Sequence, residues 1–111
     1  MQPLSFEMKI RLSNNSIRIR ISAEELSNLS KGEVVYMTIR FSILEHLSCE
    51  LKPWNLEISQ VTFESGKLSI NIPSSFATKW TENPMAVLEF HHENESDHPL
   101  QIRIEKDLQK A

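Results

Sequence analysis

Strict alternation of apolar and polar residues constrains this chain more than any other feature. Phe6, Met8, Ile10 and Leu12 alternate with Glu7, Lys9 and Arg11; Ile17, Ile19 and Ile21 alternate with Arg18 and Arg20. Successive side chains on a strand point to opposite faces, so a period of two predicts half-buried β-strands. Ser13-Asn14-Asn15-Ser16 between them reads as a turn, because Asn tolerates positive φ. Residues 6–12 and 16–21 are therefore expected to form a hairpin.

Ser22-Ala23-Glu24-Glu25 follows and has the form of a capping box, in which Ser and the Glu three residues on each satisfy an amide of the first helical turn. Leu26 and Leu29 supply the apolar face of a short helix over about 22–30, which Lys31-Gly32 ends. Glu33 to Phe41, rich in β-branched and aromatic residues, reads as a strand, and Leu47, Cys49 and Leu51 alternate in another that Pro53 closes. The second half repeats the plan. Leu56 to Phe63 is a strand, Ser65-Gly66 a tight turn, and Leu68, Ile70 and Ile72 the return strand. A helix over about 73–81 follows, with Pro73 in its first turn and Phe76, Ala77 and Trp80 on its apolar face. Met85 to Phe90 and Leu100 to Ile104 are the last strands, joined by the polar stretch His91 to Pro99.

Residues 10–29 align with 61–80 without a gap, placing Ile17, Ile19, Ile21 and Leu29 on Leu68, Ile70, Ile72 and Trp80. Leu47, Cys49 and Leu51 resemble Leu100, Ile102 and Ile104. The expected fold is mainly β with two short α-helices: a duplicated strand-strand-helix-strand-strand unit, about 8–52 and 56–107, forming a single small barrel or sandwich. A parallel sheet would contradict the duplication.

With 111 residues the chain is one domain, and no apolar run approaches the roughly 20 residues a membrane span needs. The single cysteine excludes an internal disulfide framework and any cysteine-rich zinc site, and no signal peptide is visible, so a cytoplasmic setting and no membrane association are expected. Only Gly32 and Gly66 are glycine, so glycine-rich phosphate loops are absent. The net charge of −3 argues against nucleic-acid binding driven by overall charge.

That charge is unevenly placed. Residues 9–20 hold Lys9, Arg11, Arg18 and Arg20 and no acid. A two-residue turn sets Arg11 opposite Arg18 and Lys9 opposite Arg20 on the face away from the isoleucines. Directly opposed like charges destabilise a sheet, so an anion should offset them. It is either an external partner or the protein's own Glu105 and Asp107, which share the outward parity of the last strand. The equivalent pairs in the second hairpin, Thr62 with Ser69 and Gln60 with Asn71, are uncharged. His91 and His92 are adjacent and should point to opposite faces, which disfavours a shared metal ion. Cys49 reads as a buried apolar residue. Glu24 and Glu25 are explained by capping and the helix dipole. Trp54, in a predicted turn, is expected to cap the barrel end or sit in an interface. No catalytic constellation, cofactor site or metal site emerges, and a non-enzymatic protein is expected.

Met8-Lys9-Ile10-Arg11-Leu12, Asn15 to Ile21, and Glu105-Lys106-Asp107 resemble a family of small bacterial proteins of unknown function. Its members begin at Met-Lys-Ile-Arg and end near Glu-Lys-Asp, which makes Met1 to Glu7 an extension and implies no activity. The repeated unit is similar to the swapped-hairpin barrel of AbrB-type regulators, in which a hairpin ending in Pro precedes a short helix. Lys67 to Pro73, with Phe76 and Trp80 beyond, carries that likeness; Ser22 in place of Pro and Glu24-Glu25 at the first helix depart from it. A small binding or regulatory module with a protein partner is the expected function. The alternative is an AbrB-like nucleic-acid binder using Lys9, Arg11, Arg18, Arg20 and Arg40.

Overall fold

The computed structural model describes residues 8–107. The hairpin strands are β1 (Lys9–Ser13) and β2 (Ser16–Ile21), followed by helix α1 (Ala23–Ser30) and strands β3 (Val35–Arg40) and β4 (His46–Trp54). The second half runs β5 (Gln60–Glu64), β6 (Lys67–Pro73), α2 (Ser74–Glu82), β7 (Val87–His92) and β8 (Leu100–Lys106). The proposed start of the first strand at Phe6 lies outside the described residues.

The strands form two four-stranded sheets, in the orders β1-β2-β8-β7 and β3-β4-β6-β5. Each sheet takes one hairpin from each half, and the two sheets do not join into a closed barrel. Antiparallel hairpins flank a parallel central pair in both, β2 with β8 and β4 with β6. A parallel sheet would have contradicted the duplication; the sheets are instead mixed, with one parallel pair each, and these pairs obey the correspondence between the halves. Ser16 opposite Gln101 in the first sheet becomes Lys67 opposite Ser48 in the second, and Ile21 opposite Lys106 becomes Ile72 opposite Pro53. The outer pairs match as well: Lys9 faces Arg20 as Gln60 faces Asn71, and Val35 faces Leu51 as Leu88 faces Ile104.

The turns repeat this match. Asn15 and Gly66 both have positive φ, and their carbonyls accept from Gln101 N at 2.9 Å and Ser48 N at 2.8 Å. Gly66 is tightly constrained, because a Cβ there would lie 2.6 Å from the His46 carbonyl oxygen.

Ser22 caps α1 as the sequence predicts. Its Oγ accepts from Glu25 N at 3.1 Å while Ser22 N donates to Glu25 Oε1 at 2.9 Å. The helix ends in a Schellman motif: Gly32, at φ +88°, donates to the Leu29 carbonyl and Glu33 N to the Asn28 carbonyl. The second helix differs, since Pro73 is its N-cap and supplies no side-chain hydrogen bond. Pro53 does not end β4, which continues to Trp54. The β3 partner stops at Val35 opposite Leu51, so β4 is an edge at Pro53 and its missing N–H breaks no ladder bond. Trp54 lies in that strand rather than in a turn; its indole donates to the Ile58 carbonyl at 2.8 Å, and its own carbonyl accepts from Ser74 Oγ.

The core lies between the inner sheet faces and the two helices, which pack on each other. The central strands contribute Ile19, Ile21, Ile102 and Ile104 from one sheet and Cys49, Leu51, Ile70 and Ile72 from the other; the helices add Leu26, Leu29, Ala77 and Trp80, all buried. Phe76 and Trp80 form a tilted ring pair with centroids 5.1 Å apart. No helix is long and apolar enough to cross a membrane.

Candidate functional site: a cationic sheet face

Alternation on the first sheet sends its isoleucines inward and its charges outward. The register then aligns the charges in rows. Arg11 on β1 faces Arg18 on β2, Arg18 faces Arg103 on β8, and Arg103 faces Glu89 on β7. The adjacent row runs Lys9, Arg20, Glu105 and Val87. Three arginines side by side across a sheet are unfavourable in isolation.

Glu105 relieves much of that repulsion. Its carboxylate accepts from Arg18 Nη2 at 3.1 Å, Arg20 Nε at 2.9 Å and Arg103 Nε at 3.0 Å, while its side chain is only 13% exposed. Burial alone pushes the carboxyl pKa up, but the hydrogen bonds from Arg103 and Arg20 and the charge of Arg18 outweigh it and hold Glu105 below its ordinary value. Arg103 moves the opposite way, raised by its hydrogen bonds to Glu105 and Glu89. Lys9 Nζ donates to Asp107 Oδ2 at 3.0 Å. The internal partners expected from strand parity are therefore in contact with the hairpin.

They do not neutralise it. Among the described residues, Lys9, Arg11, Arg18, Arg20 and Arg103 share the face with Glu89, Glu105 and Asp107, an excess of cations. Arg11 has no carboxylate partner among the described residues, and Arg18 Nε is buried without an acceptor. A shallow groove of about 250 Å³ is lined by Lys9, Ile10, Arg11, Arg18 and Arg20. A second of about 510 Å³ runs beyond it past Arg103, Glu105 and Met85, and Arg20 lines both. The matching face of the other sheet has no such row of arginines. Thr62, Ser69 and Glu50 occupy the positions of Arg11, Arg18 and Arg103, and Gln60 bonds Asn71 where Lys9 meets Arg20. Burial raises the pKa of Glu50, but Ser69, Lys67 and Lys52 reverse the effect and hold it low.

Four of the five cations singled out from sequence, Lys9, Arg11, Arg18 and Arg20, share this face. Arg40 does not join them: it lies on β3 of the other sheet, opposite His46. Arg103 is the residue the sequence did not reveal. Its outward parity on the last strand was legible, but nothing local places that strand beside β2.

His91 and His92 fall on opposite faces of β7, and His91 lies 3.5 Å from the Glu93 carboxylate. Cys49 is buried, and burial together with the neighbouring Glu50 pushes its thiol up to about 12, which keeps it protonated and unreactive.

Residues 8–110 match the sequence model of a family of unknown function, DUF7009. The chain belongs to this family. The match begins at Met8 and leaves Met1 to Glu7 outside the family's span. No curated protein matches the chain.

Proposed function

We propose that this member of the family is a non-catalytic binding module that takes an acidic segment of a protein partner on the outer face of the β1-β2-β8-β7 sheet. The observation that carries the reading is the row Arg11, Arg18 and Arg103, only part of whose charge Glu105 and Glu89 offset. A carboxylate-rich segment fits such a row because arginine forks bind carboxylates in a defined geometry. Placement of the charge also favours a site over a generic solvated surface, since the equivalent face of the other sheet uses Thr62, Ser69, Gln60 and Asn71. Partnership with Glu105 and Asp107 favours a protein over nucleic acid. These carboxylates would lie close to a phosphate backbone and oppose it, whereas a protein segment can bring its own cation to meet them.

Fluorescence anisotropy with a labelled glutamate-rich peptide that carries interspersed lysines and a labelled short DNA duplex tests the reading. The wild type should bind the peptide more tightly than the duplex, and Arg11→Glu with Arg18→Glu should abolish peptide binding without unfolding the hairpin, because the swap leaves the inner isoleucines untouched. Tighter binding to the duplex, with affinity falling about 0.9 log units per log unit of salt for each neutralised phosphate, would replace the proposal with the AbrB-like nucleic-acid reading. Binding to neither would reject both.

A further inference from the structure

The correspondence between the halves exposes a second asymmetry, at the edge strands β3 and β7. Residues 34–44 expose Val34, Tyr36 (72%), Ile39, Phe41 (69%), Ile43 (90%) and Leu44 (88%). In the other half, the same positions on the edge strand and its following loop carry Val87, Glu89, His92, Asn94, Ser96 and Asp97, five of the six polar. One backbone thus supports both a polar and an apolar version of this element, so the fold does not require the apolar one. A six-residue apolar edge strand presents unpaired N–H and C=O groups and is a template for further strand pairing. Lys9 and Arg11 guard β1 and Glu89 guards β7 within the strand, whereas the one charge of β3, Arg40, stands at its end, as Glu64 does on β5.

We infer that β3 pairs antiparallel with β3 of a second copy of this chain, about a twofold axis at Thr38, to form a continuous eight-stranded sheet. The strand is self-complementary in this register. Met37 falls opposite Ile39 of the second copy, both on the inner face, and Val35 opposite Phe41 just beyond the strand end. On the outer face Tyr36 falls opposite Arg40 of the second copy, so each guanidinium meets an aromatic ring, with Glu50 one strand further along the same row. Arg40 has no carboxylate partner within the described part of its own chain, and this register keeps the two arginines apart. A twofold axis makes the contact isologous and closed, which limits association to a dimer. The surface is separate from the cationic face and does not depend on its function.

Sedimentation velocity over a concentration series up to about 100 µM tests the proposal. The wild type should be a dimer. Thr38→Lys, on the exposed outer face, sets two ammonium groups opposite each other at the axis and should give a monomer with unchanged circular dichroism. His91→Lys, at the equivalent position in β7, should leave the dimer intact. An equimolar mixture of Thr38→Lys and Thr38→Glu should restore association, since unlike charges then meet. Tyr36→Lys provides a second disrupting variant should Thr38→Lys fail to fold. A monomeric wild type, a dimer unaffected by both β3 variants, or a dimer broken by His91→Lys would overturn the inference. So would a monomer that cosediments with phosphatidylcholine vesicles, which would assign Phe41, Ile43 and Leu44 to a lipid surface instead.

Discussion

Two residues, Ser22 and Gly66, fix local geometry that the sequence already signals, and a third, Glu105, ties distant strands together. Ser22 exchanges hydrogen bonds with Glu25 in a buried setting, so Ser22→Ala should cost about 0.5–2 kcal/mol, read as a lower urea midpoint. Gly66 combines positive φ with a Cβ position 2.6 Å from a backbone oxygen; Gly66→Ala should therefore cost more than about 1 kcal/mol in the same assay. Glu105 links structure to pH. Its folded pKa lies below its ordinary value, so the stability it contributes is complete above about 4.5 and is lost as pH falls through the lower folded value. Glu105→Gln should be less stable than wild type at neutral pH, since Arg18, Arg20 and Arg103 lose their shared carboxylate. The gap should narrow on acidification below about pH 4, as the wild-type carboxyl itself protonates. Thermal denaturation of both proteins across pH checks this, and a gap that widens in acid would contradict it. The capping box and the glycine turn are legible because they depend on neighbours in sequence. The hub around Glu105 is only half legible: its parity was visible, but its third arginine, Arg103, joins it through strand order.

Elements were harder to read at their ends than in their interiors. Pro53 punctuates sequence but not structure, because the neighbouring strand has already stopped at that height. The parallel central pairs leave no local mark either, since alternation has the same period in parallel and antiparallel strands. The two helices occupy equivalent positions but differ in capping: Ser22 bonds the first turn of α1, and Pro73 offers α2 no side-chain bond. Amides in the first turn of α2 should therefore exchange with deuterium faster than those in the first turn of α1, and equal protection would contradict this account of the caps. Interior packing compensates for the weaker start. Trp80 is fully buried against Phe76, so Trp80→Ala should cost about 3–5 kcal/mol by chemical denaturation. Trp80→Phe should cost less, because it removes an indole N–H that has no acceptor among the described residues.

For the whole molecule, two sheets share one strand order and one register but differ in surface chemistry. The equivalence confines the arginine row to one outer face and the apolar edge to the other sheet, so neither feature follows from folding alone. Each sheet thus serves as an internal control for the other. The most direct measurement is a two-dimensional NMR titration of the labelled protein with an unlabelled glutamate-rich peptide that carries interspersed lysines, following backbone amides. Shifts should concentrate at Arg11, Arg18, Arg20 and Arg103 and spare Thr62, Ser69 and Asn71, the uncharged counterparts of Arg11, Arg18 and Arg20 in the other sheet. Added salt should reverse the shifts, because the attraction is between exposed charges. Shifts of equal size on both sheets, or none at low salt, would contradict the claim that the cationic face is a binding site.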